Sequence, residues 1–179
     1  VFISGSTIRY DSEFQWQPTL RRHHPNPPIT LESPLSRVYN RCKFRILNGT
    51  TDFDVAVLRI MLVQSGYVFD PDHNTLSDIT SEITVGGYAR QTLTGVVPAE
   101  NDTLDAGGVV SDHATFAGLT SGQTVDAAVI FHRLGGTDDA ADPLVSYHRL
   151  TSGIITNGGD VIIRFDLSSP GAFLRVDEF

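Results

Sequence analysis

Cysteine is nearly absent from this chain: Cys42 is the only one among 179 residues. A single thiol excludes an internal disulfide and any zinc site built from cysteine pairs, so stability must come from packing or from partners. Lysine is equally scarce. Lys43 stands alone and the other twelve basic residues are arginine. The arginine fork pairs bidentately with carboxylates and suits interfaces, although a GC-rich coding sequence produces the same skew. No apolar run approaches the roughly 18 residues that a membrane helix needs, and the first residues, VFISGSTIRYDSEFQW, lack the basic-then-apolar pattern of an export signal. The expectation is a soluble protein made in a cytoplasm, with no membrane partner.

Catalytic and cofactor motifs are missing as well. HExxH, GxSxG, GxxxxGK and GxGxxG do not occur, which removes the common signatures of zinc hydrolysis, acyl transfer and phosphate cradling. The six histidines, His23, His24, His73, His113, His132 and His148, have no metal-ligand spacing. His132 and His148 fall in strand candidates, where they are able to face each other, and a hydrogen-bonded structural role suits them. Cys42 has no recognisable base partner, although Arg41 and Lys43 beside it are of the sign that lowers a thiol pKa. The segment 70–82 opens like an EF-hand calcium loop, with Asp70, Asp72 and Asn74 at the first three ligand positions. It then departs from one, because Thr75 replaces the turn glycine and Glu82 comes one place after Ser81, where the closing glutamate belongs. An Asp-Pro turn followed by a capped helical turn is the better reading. No cofactor, metal, catalytic residue or small-molecule substrate is expected.

What is present is an asymmetry of charge. Residues 1–49 carry seven basic and three acidic side chains, a net +4, and residues 50–179 carry six basic and 18 acidic, a net −12. The first segment also holds five of the nine prolines, all of them in PTLRRHHPNPPITLESP at 18–34. Fixed φ angles and missing N–H donors there oppose both a helix and a central strand. The segment is nevertheless too rich in apolar side chains for a freely solvated tail. We therefore divide the chain into an extended basic, proline-rich N-terminal arm, 1–49, and a body, 50–179. The arm suits a groove on its own body or on another subunit, and folding back as extra strands of the same domain is the alternative. Its candidate contact residues are Phe14, Trp16, Leu20, Arg21, Arg22, Ile29, Leu31, Leu35, Arg37, Tyr39, Arg41 and Arg45. These arginines, with Lys43, are also of the right charge for phosphates. The acidic body would repel a nucleic acid, and the aromatics do not interleave as a stacking platform would, so no nucleic-acid partner is expected.

The body reads as all-β: an antiparallel β-sandwich or a flattened barrel. In DVAVLRIMLV at 54–63, Leu58, Ile60 and Leu62 share one face, and Val55, Val57, Met61 and Val63 share the other. Two apolar faces require two covers, a second sheet on one side and the arm or a neighbour on the other. Further strands are expected over 90–97, 109–116, 124–133, 144–150, 161–167 and 172–176, with Val125, Ala127, Val129 and Phe131 on one side of the fourth stretch of the series. Gly- and Asp-rich turns at 121–122, 134–139 and 157–160 separate them, as sandwiches and barrels require. The one helical turn expected lies near 75–81.

Several of these stretches, in order, resemble the small β-rich virion structural proteins of tailed phages. They are DVAVLRIMLV at 54–63, SGYVFDPDH at 65–73, LSDI at 76–79 with Glu82, GGYARQTLTG at 86–95, AAVIF at 127–131, DPLV at 142–145, GGD at 158–160 and GAFL at 171–174. The resemblance spans residues 51–176. It implies a particle component without catalysis, in the head or in the tail. The arm is a departure, since such proteins begin close to the first strand.

The resulting expectation is a non-enzymatic capsid decoration, or cement, protein. Its arm would anchor it to the major capsid protein and to other copies of itself, in a virion assembled in the bacterial host cytoplasm. A tail or baseplate component is the alternative. A carbohydrate- or receptor-binding sandwich is the second, weakened because Trp16, the only tryptophan, lies in the arm.

Overall fold

The computed structural model describes residues 36–102, 106–165 and 174–177. All of them belong to one compact unit, Ser33–Phe179. Of the candidate contact residues, Phe14, Trp16, Leu20, Arg21, Arg22, Ile29, Leu31 and Leu35 lie outside the described residues.

The fold is all-β and antiparallel. Its elements run β1 (Ser36–Val38), α1 (Asn40–Leu47), β2 (Leu58–Val63), β3 (Gln91–Thr92), β4 (Val97–Asn101), β5 (Ala106–Val110), β6 (Ala114–Phe116), β7 (Thr124–His132), β8 (Leu144–Ile155), β9 (Val161–Ile163) and β10 (Leu174–Asp177). A five-stranded sheet has the order β1-β8-β7-β2-β3, a three-stranded sheet β10-β5-β4, and β6 pairs with β9. The sheets are open, so the barrel alternative gives way.

The sequence dictates the middle of the large sheet. In β7, Ala128 and Ile130 point to one side and Ala127, Val129 and Phe131 to the other, all buried. β2, beside it in register from Leu58↔His132 to Val63↔Ala127, does the same. A short, continuous apolar run of this kind is stable only where both faces are sealed. The first face, with Leu58, Ile60, Leu62, Ala128 and Ile130, packs against Val109 of β5, Ala114 and Phe116 of β6, Val161 and Ile163 of β9, and Phe165. The second face, with Met61, Val63, Ala127, Val129 and Phe131, is covered by Tyr39, Tyr67, Leu76 and the flanking Phe69 and Ile79. The expected two-sided burial is present, and the chain itself supplies both covers.

Three expectations are corrected by backbone detail. Val125 belongs to the first core rather than sharing a face with Ala127, Val129 and Phe131. The register shifts between Val125↔Ile154 and Ala127↔Arg149, so four residues of β8 oppose Asp126 alone, and such a bulge re-aims the side chains around it. The expected strand over 90–97 is divided because Gly95 takes φ +61, a turn conformation that favours glycine. The stretch 109–116 breaks into β5 and β6, with the Asp112 amide turned aside to the Thr94 carbonyl, N···O 2.8 Å.

The largest correction concerns the arm's end. Residues 36–47 were placed in the extended segment, yet they form β1 and α1 of the body. α1 runs through NRCKFRIL, starts after an extended Tyr39 and stops where Gly49 takes φ +70, the left-handed conformation that ends many helices. Its sequence has no apolar period because only Cys42 is buried.

Phe131 offers a test of the two-sided sheet. Phe131→Ala should cost about 3–5 kcal/mol, read as a fall in the denaturant midpoint, whereas Val68→Ala, at an exposed position, should stay within about 0.5 kcal/mol.

Candidate functional site

The described candidate residues meet where the chain enters the body. β1 lies along β8 with Ser36↔His148, Arg37↔Tyr147 and Val38↔Ser146. The next amide, of Tyr39, donates to the Val145 carbonyl at 3.2 Å, and that of Asn40 donates to Pro71 at 2.9 Å. The Asn40 side-chain amide adds a bond to Asp72 Oδ1 at 2.7 Å. Within these five residues the chain passes from an edge strand, through the second core, to a helix.

Tyr39 is the plug of that passage. Its side chain is wholly buried, its ring lies 5.0 Å from that of Phe69, and its hydroxyl shares a hydrogen bond with Tyr67 at 2.8 Å. Tyr67 in turn reaches His73 Nδ1 at 2.9 Å. Burial pushes the Tyr39 phenol far above its ordinary pKa, and burial lifts that of Tyr67 to about 12. The sequence put Tyr39 on an intermolecular surface. A residue with no exposed area cannot serve there, and its role is internal.

The arginines divide three ways. Arg37 lies over the Phe69 ring at 5.3 Å. Arg45 is committed to its own turn, donating from Nε to Thr51 Oγ1 at 2.9 Å and from Nη2 to the Thr50 carbonyl at 3.1 Å. Arg41 stays on the surface, 5.8 Å above the ring of Phe44. α1 therefore presents Arg41 and Lys43 together with exposed Phe44, Ile46 and Leu47, and carries no acidic residue. The candidate contact residues include Arg41 but not Phe44 or Leu47, and Lys43 is named from the sequence only as a phosphate contact. The available signal was three apolar residues in a basic stretch that match neither a strand nor a buried helix face.

Cys42 lies on the inner side of the same helix. Burial raises its thiol pKa to about 12, outweighing the opposing effect of Arg45 and Lys43. The neighbouring cations therefore do not activate the thiol, since desolvation exceeds the attraction of partly exposed charges.

The remaining polar clusters are structural. Glu82 takes a two-pronged contact from Arg90, Nε to Oε1 2.8 Å and Nη2 to Oε2 2.6 Å, and accepts the Tyr88 hydroxyl at 2.7 Å. Asp138 accepts from Arg59 at 2.6 Å and from Arg90 at 3.4 Å, while Arg90 lies 5.5 Å above the Phe131 ring. This network ties two loops across the margin of the second core. His148 is bonded to Ser146 and Ser36, each at 2.9 Å. It pairs across the sheet with Ala128, not with His132.

In the 70–82 segment the carboxylates are engaged by nearby protein groups. Asp70 accepts from the Asp72 amide at 2.9 Å, and Asp78 accepts from the amides of Asn74 at 2.8 Å and Thr75 at 3.0 Å. Those backbone bonds hold the Asp78 carboxyl below its usual pKa and cap the single helical turn Leu76–Asp78. Among the described residues, no cluster of histidine, cysteine, aspartate or glutamate is arranged to hold a metal, and no helix is long and apolar enough to cross a membrane. No family model, curated protein or solved structure matches the chain.

Two outcomes are expected. At pH 8, Cys42 should resist a thiol reagent in the native protein and react fully after denaturation; rapid native labelling would contradict its enclosure. Asp78→Asn should lower stability near pH 7 by about 1 kcal/mol. Because the folded-state pKa is depressed, the Asp78 contribution is present above the unfolded carboxylate pKa and is lost as pH falls through the folded value. The gap between wild type and variant should close in acid, as thermal melts across pH will show.

Proposed function

We propose that this chain is a non-enzymatic structural protein of a phage virion, a decoration or cement protein fastened to the major capsid protein and to further copies of itself by the residues that precede β1. The observation that carries the reading is the root of that segment. Ser36, Arg37 and Val38 are hydrogen-bonded into the large sheet, and Tyr39 is seated in the second core immediately after. A pull on the preceding residues is thus delivered to the interior of the body rather than to a loop. Extended segments add contact area without a second folded core, and linked contacts gain in avidity.

Composition supports the same reading. Residues 1–35 hold three arginines and three acidic residues with many apolar side chains, and Phe14, Trp16, Leu20, Ile29, Leu31 and Leu35, with Arg21 and Arg22, are the proposed anchors. The acidic excess of the body favours solubility of a particle coated with it. The resemblance over residues 51–176 points to the same class of protein, and the virion is the proposed location.

The test is made on particles. Removing residues 1–35 leaves β1, Tyr39 and Cys42 in place. The truncated protein should unfold cooperatively yet fail to join particles that incorporate the full chain. Full occupancy by the truncated form would contradict the anchoring role. Quantifying copies per particle separates decoration, with hundreds, from a tail or baseplate component, with a few to a few dozen.

A further inference from the structure

Two surfaces of the described body are unlike each other and complementary. α1 exposes Phe44 at 55% and Leu47 at 87%, flanked by Arg41 and Lys43. Neither cation takes part in an ion pair among the described residues, and the helix has no acid of its own to neutralise them. Among the described residues, β4 is the outer strand of the three-stranded sheet, bonded to β5 on one side only. It exposes Val97 at 48%, and Glu100 and Asp102 at its end are exposed and form no ion pair among the described residues. The strand VPAEN carries no cation.

We propose that α1 of one copy docks on the β4 edge of a second copy, with Arg41 and Lys43 meeting Glu100 and Asp102 while Phe44 and Leu47 cover Val97. The charge distribution selects this occupant. A basic, apolar helix needs an acidic surface with an apolar centre, and the chain that carries the helix also carries such a surface. The edge reinforces the choice, because a strand with an unpaired side invites a covering element. Since the two patches differ, the contact is head-to-tail. A pair joined by one such contact retains a free edge on one copy and a free helix on the other, so the assembly can grow into a ring or a row.

This contact deepens the particle reading and rests on its repeated copies, but it is tested on free protein, so the two fail separately. The full chain is treated with a zero-length carbodiimide, which activates a carboxylate for attack by an amine, so that the amide bond forms and the reagent leaves as its urea with the carboxylate oxygen. Lys43 is the only lysine, so its side-chain cross-links identify its neighbours. The expected result is a ladder of cross-linked oligomers in which the Lys43 peptide is joined to the peptide bearing Glu100 and Asp102. Light scattering should show mass rising with concentration and falling as salt is added.

Arg41→Glu with Lys43→Glu should abolish the concentration-dependent rise in mass seen by light scattering, and so should Glu100→Lys with Asp102→Lys. Mixing the two charge-reversed proteins should restore association between them. Circular dichroism melts matching wild type verify that each variant is folded, and the wild-type cross-link stands as evidence without them. A wild-type chain that stays monomeric at every concentration, or a Lys43 cross-link confined to other carboxylates, would overturn the proposal.

Discussion

A central strand with no polar face governs the rest of this molecule. β7 and β2 place apolar side chains on both sides of the large sheet, and neither side tolerates water. On one side the short strands β5, β6 and β9 supply the cover. On the other the described residues form no second sheet, and the cover is assembled from Tyr39, the loop residues Tyr67 and Phe69, and Leu76 at the head of a single helical turn. The polar features of the body serve this second cover. Asp78 caps the turn that presents Leu76, the tyrosine hydroxyls satisfy one another inside it, and the Glu82, Arg90, Asp138 and Arg59 network closes its margin. Such charge pairs are worth little when exposed, and here they earn their place by fixing loops over a core.

Because Tyr39 belongs to this cover, the start of the body and the sealing of the sheet are one event. The chain cannot leave the second core without exposing Met61, Val63 and Phe131 to solvent, at a cost on the scale of several buried side chains. The anchoring proposed for the segment before Ser36 draws its support from this, since Tyr39, three residues after Ser36, belongs to the second core.

The parts of the fold that were legible are those written as local alternation. β2, β7 and the first half of β8 follow directly from DVAVLRIMLV, TVDAAVIF and LVSYHRL, because each is long enough for its pattern to outweigh context. Bulges were not legible: the irregularity opposite Asp126 depends on how β8 is threaded, and period-two counting assigns Val125 to the wrong face. α1 was hidden because eight residues with one buried side chain have no periodic signature. The arm boundary was misread for a related reason. Proline content and positive charge identify what opposes regular structure, but Tyr39 carries no mark that distinguishes a residue reaching for a neighbour from one folding into its own core. The interaction surface was half visible, in that Arg41 stood out by charge while Phe44 and Leu47 were legible only once their exposure was seen.

Native-state hydrogen exchange at the Tyr39 amide, the donor to Val145, reports most directly on whether the second cover is integral to the body. The account predicts protection close to that of the central β7 amides, lost only with global unfolding. Exchange at the rate of an exposed loop, with β7 still protected, would contradict it.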